Sequence, residues 1–236
     1  MIHASTALST HVLNEQAFQP TDTIEISHVL SQIALAGKMI ASDLRHAGMS
    51  DVLGSTGKTN IQGEEVQKLD ERANATFVNV FDANEVVRTV VSEEMEKPHV
   101  VRGARRPGRY AVYLDPLDGS SNIDVDAPLG SIFSVHRLPE TSDGESEQDL
   151  LKPGVDQVAA GYLLYGPSTL LVYTCGKGVH LFTLDPEIGE FLLTAQNVQA
   201  PARGKLYSVN EGNYQKWPKG VQHYIDFVKE SDVASD

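Results

Sequence analysis

The sequence is poor in several features that mark particular classes of protein. It has a single cysteine, Cys175, so it cannot form an intrachain disulfide, which fits a reducing compartment. It has no run of about 18 apolar residues, so no membrane span is expected. Its first residues, MIHASTALSTHVLNEQAF, lack the basic and apolar stretches of a secretory signal. We therefore expect a cytoplasmic protein.

Basic residues are also scarce. The chain has 19 Lys and Arg against 32 Asp and Glu, a formal net charge of −13. So acidic a chain is a poor binder of nucleic acid and of anionic membranes, and neither is expected as a partner. Its 19 glycines and 11 prolines are an average content, which excludes collagen-like and low-complexity classes. With 41% hydrophobic residues in 236, it can bury a sizeable core.

Hydrophobic spacing predicts helices first and strands later. Ile26, Leu30, Ile33 and Ile40 recur at intervals that place them on one helix face, which predicts a helix over residues 23–48. A second helix is predicted over 65–80. The β-rich segments that follow lie at residues 86–92, 110–115, 131–138 and, with several turn signals, 157–195. This order predicts an α/β fold, in the form of a layered α+β sandwich.

Two of the β-rich segments end in carboxylates. Glu93 and Glu94 follow the segment that ends at Ser92, while Asp115 and Asp118 follow the next one. Carboxylates gathered in one place repel one another, and their pKa values rise unless cations lie between them. Mg²⁺ prefers such oxygen ligands and combines one or two carboxylates with water and substrate phosphate.

The segment DPLDGSS, which begins at Asp115, supplies the other groups that phosphate chemistry needs. Pro116 predicts a rigid turn that holds Asp115 and Asp118 on one side and frees the Leu117 carbonyl for a metal. The glycine and two serines that follow offer N–H groups and hydroxyls at a candidate helix N-terminus, which is a natural phosphate cradle. Metals and phosphate in this arrangement predict phosphoryl transfer to water.

Each acidic segment also has an ordinary structural interpretation. Asp-Pro-x-Asp-Gly is most often a turn, and Glu93 with Glu94 can be a solvated strand end. Glu64 and Asp70, near the start of the second predicted helix, favour the helix dipole. A structural calcium site is the intermediate interpretation. The occurrence of all three segments in one chain favours catalysis.

Longer stretches resemble a known family. The motif DPLDGSSNID, which begins at Asp115, is highly specific. Through it, the chain resembles class I fructose-1,6-bisphosphatase, one of the Mg²⁺-dependent, lithium-sensitive sugar phosphatases, from about residue 57 onward. The inositol monophosphatases of the same superfamily usually have threonine where Ser120 stands, and they lack the NEGNY segment found here. The other matching stretches are GKTNIQGEEVQKLDERAN from Gly57, VVSEEMEKP from Val90, PLGSIFSV from Pro128, QVAAGYLLYGPSTLLVYTCGKGVHLFTLDPEIGEF from Gln157 and YSVNEGNYQKW from Tyr207.

The resemblance implies hydrolysis of fructose 1,6-bisphosphate to fructose 6-phosphate and phosphate, a gluconeogenic step. It implies two or more Mg²⁺ per subunit that activate water, and Mn²⁺ or Zn²⁺ can share such ligands. The implied metal ligands are Glu93, Glu94, Asp115, Asp118 and the Leu117 carbonyl. The implied catalytic residues are Glu64, Asp70 and Glu94. The implied substrate-binding residues are Asp118, Gly119, Ser120 and Ser121 for the 1-phosphate, and Asn210 and Tyr214 for the 6-phosphate.

The resemblance also implies a domain plan and leaves alternatives open. Residues 1–22 are predicted to be an arm, 23–203 an α+β domain that holds the metal site, and 204–236 the start of an incomplete α/β domain. Family members continue for roughly another hundred residues, so the chain is interpreted as C-terminally truncated. They form homotetramers. The alternative functions are a sedoheptulose 1,7-bisphosphatase and a non-catalytic homologue that binds metal or full-length subunits.

Overall fold

The computed structural model describes residues 6–15, 20–46, 54–59, 65–83, 85–102, 108–120, 123, 127–204 and 206–233. Its helices are α1 (Leu8–Glu15), α2 (Pro20–His46), α3 (Lys68–Asp82), α4 (Glu147–Leu150) and α5 (Lys219–Val233). Its strands are β1 (Ser55–Thr59), β2 (Glu65–Gln67), β3 (Val87–Ser92), β4 (His99–Val100), β5 (Tyr110–Asp118), β6 (Leu129–Arg137), β7 (Gln157–Tyr165), β8 (Thr169–Thr174), β9 (His180–Asp185) and β10 (Glu190–Ala195).

The chain divides into two compact units, Met1–Val198 and Gln199–Asp236. The first contains an eight-stranded sheet in the order β10-β9-β8-β7-β6-β5-β3-β4, and β1 pairs with β2 as a separate ribbon. Strands β3 and β5 are parallel, whereas the other neighbours in the large sheet are antiparallel. The predicted α/β class is confirmed, while the boundaries predicted after residues 22 and 203 stay predictions.

One face of the sheet carries the main hydrophobic core. Helices α2 and α3 pack there against alternate residues of the strands, among them the fully buried Leu163. Gly37 of α2 allows this close approach, because a Cβ at that position would lie 2.2 Å from Leu163 Cδ2. The residues whose spacing predicted α2 are therefore the residues that face the sheet.

The opposite face of the sheet is partly open. Ile132 and Tyr162 are paired across β6 and β7 on this face and are 48% and 45% exposed. A smaller cluster of Ala111, Leu138 and Leu150 covers another part of the same sheet beside α4. The open region is a groove, and two of the acidic residues discussed below lie in its wall.

The helix boundaries differ from the sequence prediction in two places. Helix α2 begins at Pro20 rather than at residue 23, because proline suits the first turn of a helix; the predicted stop at Gly48 lies outside the described residues. Residues 65–67, predicted as helix, form the short strand β2, and α3 begins at Lys68. Helix α1, within the predicted arm, packs against α2 and β10 and buries Leu8, His11 and Val12.

The second unit is small and contains a short 3₁₀ helix, Glu211–Lys216, followed by α5. Within it, the Tyr214 and Trp217 rings pack 5.7 Å apart between centroids. In the part of the chain that the structure describes, no helix combines the length and the hydrophobicity of a membrane span.

Candidate active site

The parallel pairing of β3 and β5 brings two acidic segments together. The register places Ser92 beside Leu114, and the Glu93 backbone N–H donates to the Leu114 carbonyl at 3.0 Å. Glu93 therefore follows directly alongside Asp115, on the open face of the sheet. Because both strands end at the same edge, residues 22 positions apart in the sequence become neighbours.

Asp115 lies in a strongly acidic environment. Burial raises the pKa of its carboxyl group to about 7, and the negative charges of Glu93 and Asp118 add to the effect. The Asp115 and Glu93 side chains also share a hydrogen bond, whereas the Leu117 backbone N–H donates to Asp115 and lowers its pKa. Three carboxylates thus lie close enough to destabilise one another when all are ionised.

A β-bulge in β5 lies directly before Asp118. Asp115 pairs with Ile132 and Asp118 with Gly130, so β5 has one more residue than β6 between these pairs. The Ser131 hydroxyl donates to the Pro116 carbonyl at 2.7 Å and lies 2.8 Å from the Tyr165 hydroxyl.

The prediction of a turn at Pro116 was therefore wrong, because Pro116 lies within a bulged strand. The turn follows the bulge, at Gly119. Proline is tolerated at a bulge because no ladder N–H is required there.

The candidate phosphate cradle begins at Gly119. Its φ of +85° lies in the left-handed region, which glycine adopts without strain. Ser120 follows in a helical turn and is half-buried, while Ser121 lies outside the described residues. The side chain of Leu117 packs in the core at 4% exposure, so its backbone is the part that remains a candidate metal ligand.

The three predicted catalytic residues have different surroundings. Glu94 is half-buried in the turn after β3, and its backbone N–H lies 3.3 Å from the Ser92 hydroxyl oxygen. Asp70 is buried at the start of α3, where its carboxylate accepts from the Gln67 backbone N–H at 2.8 Å and completes a capping box. Glu64 lies outside the described residues.

Asn210 and Tyr214 both belong to the second unit. Asn210 begins the 3₁₀ helix, and its side-chain oxygen accepts from the Gly212 backbone N–H at 3.1 Å. The Tyr214 hydroxyl donates to the Asp226 carboxylate at 2.7 Å, and this bond raises the pKa of Tyr214. Each residue therefore has a structural partner within its own unit.

A groove on the open sheet face adjoins the carboxylates. Its volume is about 730 Å³, within the range of small-molecule sites. Glu93 and Asp115 lie at one end, and apolar residues such as Ile132 and Tyr162 line the rest. The site thus combines a concave surface, clustered carboxylates and a glycine turn.

Sequence reasoning missed the residues that support the bulge. Ser131 and Tyr165 are buried on β6 and β7, at 0% and 5% exposure. Both lie in stretches that match the family, but nothing in their type or spacing links them to Pro116. Their role depends on strand register, which no local pattern reveals.

Comparison with known proteins decides the family. A family model described as fructose-1-6-bisphosphatase, N-terminal domain, matches residues 6–196. The chain belongs to the fructose-1,6-bisphosphatase family. The resemblance inferred from the sequence motifs is therefore confirmed.

Curated relatives of this chain carry the name class 1 fructose-1,6-bisphosphatase. The class 1 fructose-1,6-bisphosphatase of Trichodesmium erythraeum is 49% identical over 224 residues, and that of Synechococcus elongatus is 49% identical over 222 residues. These alignments cover 94% and 93% of this chain but 63% and 64% of the relatives. The chain thus spans a little under two thirds of the length of these fructose-1,6-bisphosphatases.

Solved structures of the family share the fold. Leishmania major fructose-1,6-bisphosphatase in holo form matches with a TM-score of 0.86 and 38% identity, over 95% of this chain and 68% of that chain. The apo form of the same protein matches with a TM-score of 0.80 and 36% identity. The mixed sheet and its helices are therefore the fructose-1,6-bisphosphatase fold.

Proposed function

We propose that this chain carries the metal and 1-phosphate site of a Mg²⁺-dependent phosphatase that hydrolyses fructose 1,6-bisphosphate to fructose 6-phosphate and phosphate. The observation that carries the proposal is the meeting of Glu93, Asp115 and Asp118 beside a groove. Family membership supplies the substrate, because the relatives are fructose-1,6-bisphosphatases. It favours fructose over sedoheptulose bisphosphate.

The carboxylates suit divalent cations. Burial and two nearby carboxylates raise the pKa of Asp115 to about 7, so they oppose its ionisation. A divalent cation would remove that opposition, and oxygen-only donors favour Mg²⁺. We propose that Glu93, Glu94, Asp115, Asp118 and the Leu117 carbonyl hold two or more Mg²⁺. The ions, when bound, would supply charge stabilisation for the transferring phosphoryl group and activation of water.

The residues of the chain provide position and proton transfer. The N–H groups and hydroxyls around Gly119, Ser120 and Ser121 would hold the scissile phosphate in line with the attacking water. Water oxygen bonds to phosphorus as the bond from phosphorus to the sugar oxygen breaks. One proton of the attacking water passes to a carboxylate, with Glu94 the proposed acceptor, and the other stays on the new phosphate oxygen. The leaving sugar oxygen takes a proton from solvent water and ends as a hydroxyl, and Glu94 returns its proton to solvent. Glu64 and Asp70 would position the water.

The second phosphate of the substrate has a proposed site in the second unit. Asn210 and Tyr214 would bind it through their amide and hydroxyl groups, so that remote binding energy orients the phosphate to be cleaved. The Tyr214 hydroxyl would then exchange its bond to Asp226 for one to phosphate. We also propose a cytoplasmic homo-oligomer, a tetramer as in the family; light scattering on the purified chain tests the assembly.

The test is phosphate release from fructose 1,6-bisphosphate by the 236-residue chain, with Mg²⁺ and with a chelator. We expect metal-dependent release, and sedoheptulose 1,7-bisphosphate should react more slowly. Asp118→Asn should lower turnover by orders of magnitude while the fold is kept. The matched control is Asp156→Asn, since Asp156 is exposed in a 3₁₀ helix before β7, six positions from Tyr162, which pairs with Ile132 beside Asp115.

The contrary results are also informative. Equal turnover by Asp118→Asn and the parent chain would overturn the metal assignment. No release from a folded parent chain would favour the non-catalytic homologue, and mixing it with a full-length family member would then test co-assembly.

A further inference from the structure

A second group of metal-binding side chains lies away from the carboxylates, between α1 and the sheet. His11 and Glu15 are one turn apart on α1, and His180 is the first residue of β9. Glu15 Oε2 lies 3.3 Å from His180 Nε2, and Glu15 Oε1 lies 4.0 Å from His11 Nε2. One ligand atom from each residue lies within 4.8 Å of the others.

The three side chains are buried and incompletely paired. His11 is 5% exposed, His180 is fully buried, and the Glu15 side chain is 15% exposed. His11 Nε2, Glu15 Oε2 and His180 Nδ1 have no hydrogen-bond partner. Buried polar atoms without partners are costly, so the unpaired His11 Nε2 and Glu15 Oε2, one helical turn apart, indicate that a ligand is missing.

The nitrogen of His11 that would not hold the metal has a partner, since His11 Nδ1 lies 2.8 Å from the Tyr173 hydroxyl. His180 Nε2 faces Glu15 and also lies 3.1 Å from the Lys177 carbonyl. A metal-bound histidine almost always donates its second ring N–H to such a group, which fixes the orientation of the ring. His11 already has this second contact, through the Tyr173 hydroxyl.

The charge of the cluster also favours a cation. Across the described part of the chain, no lysine or arginine pairs with Glu15. A carboxylate among buried aromatic rings such as Phe182 then needs a positive partner.

We infer that His11, Glu15 and His180 form a Zn²⁺ site that clips α1 to the sheet. Two imidazoles and one carboxylate are a zinc donor set, whereas Mg²⁺ prefers oxygen alone. Bonds of about 2.0–2.1 Å in a tetrahedron place ligand atoms about 3.3 Å apart. The Glu15–His180 pair already has that spacing, and the Glu15–His11 pair needs a shift of under about 1 Å.

The metal site would reinforce the contacts that already attach the N-terminal segment to β10. Ala7 bridges to Leu192, and the Leu193 backbone N–H donates to the Thr6 carbonyl at 2.9 Å. Because His180 and Glu15 are joined only when α1 is docked, the ion would bind the folded chain and not the unfolded one. Zn²⁺ should therefore raise the melting temperature.

The experiment is a Zn²⁺ titration of the chelator-treated chain, with Mg²⁺ in excess to occupy the carboxylate site. Because the carboxylate site can also take Zn²⁺, the titration is repeated on Asp118→Asn. Calorimetry on that variant should still show one equivalent bound, and saturating Zn²⁺ should raise the melting temperature by about 5–10 °C. Co²⁺ in place of Zn²⁺ should give the visible absorption of a four-coordinate site with nitrogen ligands.

Variants locate the site. Glu15→Gln and His180→Gln should each weaken Zn²⁺ binding about tenfold or more. His136→Gln is the matched control, because His136 is equally buried but lies on the other face of the sheet beside Tyr113. Glu15→Gln keeps the test valid if His180→Gln does not fold, since Glu15 is the more exposed residue. Absence of binding by the parent chain, or unchanged binding by Glu15→Gln, would overturn the proposal.

Discussion

Glu93 lies beside Asp115 because β3 runs parallel to β5, and the two carboxyl groups share a hydrogen bond. The pair lies where the two parallel strands end at one edge of the sheet. The pair is electrostatically unfavourable when both carboxyl groups are ionised, because two negative charges then lie close together. Such a cost is typical of a cation site, because the ion reverses the sign of the local field.

The first prediction concerns how much the ionised Asp115 lowers the free energy of unfolding when no divalent cation is bound. Asp115→Asn should raise the free energy of unfolding by about 1 kcal/mol above pH 7, a value reduced for partial solvent exposure. The reason is that the folded-state pKa, about 7, lies above the unfolded value of 3.8, so ionisation disfavours the fold. Thermal melting in a chelator at pH 8 measures it.

The same substitution should remove the response to Mg²⁺. The parent chain should gain stability on adding Mg²⁺, whereas Asp115→Asn should gain little and release no phosphate. Asp156→Asn, on the exposed 3₁₀ helix before β7, should behave like the parent chain. A parent chain stabilised no more than Asp115→Asn would contradict the carboxylate site.

The second prediction tests the bulge. Ser131→Ala should lower the free energy of unfolding by about 1–3 kcal/mol, because the buried Pro116 carbonyl loses its donor. It should also lower kcat, since Asp118 follows the bulge directly. Urea unfolding and phosphate release measure the two effects.

Tyr165→Phe is the control for this prediction. It removes the hydroxyl 2.8 Å from Ser131 Oγ but leaves the Ser131–Pro116 bond in place. It should therefore affect stability with a much smaller loss of kcat. Equal kcat losses in the two variants would show that the Pro116 bond has no special role.

The third prediction concerns Gly119. Gly119→Ala should cost about 1–2 kcal/mol in stability, because φ is +85° and an L-residue is strained there. It should also lower phosphate release strongly, since a distorted turn displaces the N–H groups of the proposed cradle. An added Cβ has room, with Leu129 Cδ2 at 3.6 Å, so strain rather than a clash is the cause.

Gly189→Ala separates stability from function. Gly189 has a φ of +67° in the hairpin between β9 and β10, and nothing lies within 4 Å of an added Cβ. This variant should lose similar stability and keep phosphate release. If Gly119→Ala were as active as Gly189→Ala at a temperature where both are folded, the cradle would not include Gly119.

The fourth prediction is a pH dependence of stability from His136. Burial lowers the pKa of this ring below 6.5, with Asp156 opposing the effect, and the Tyr113 ring packs against it at 5.1 Å. Below pH 6.5 the unfolded chain therefore binds a proton that the folded chain does not, and stability falls as the pH falls. His136→Gln should flatten the stability profile between pH 7 and the folded-state pKa.

The exposed His223 supplies the comparison for this experiment. His223→Gln should leave the acid side of the profile as in the parent chain. Chemical unfolding at several pH values gives both profiles. An unchanged slope in His136→Gln would show that its burial has no net effect on protonation.

Much of the fold was predictable because its signals are local. The spacing of Ile26, Leu30 and Ile33 predicted α2, and the same residues are buried against the sheet. The strand segments were predicted from alternation and turn residues, with boundaries that shift by a few positions. The helix predicted at 65–80 lost its first residues to β2, since the capping box at Gln67 and Asp70 starts the helix there.

The candidate site was predictable only as a set of residues. The sequence showed four carboxylates after two strands and a glycine after Asp118, but not that Glu93 adjoins Asp115. The order of the sheet depends on which strands pack together, and a parallel pair can form only across a long connection. The predicted roles of all the site residues stay predictions.

By itself, the sequence determined the family, the acidic motif and the helix faces, because these depend on residue type and short-range spacing along the chain. The tertiary structure decided the parallel register of β3 and β5, the bulge that Ser131 supports and the meeting of His11 with His180. Those features join residues far apart in sequence. They depend on how strands and helices bury apolar surface together, which local patterns do not specify.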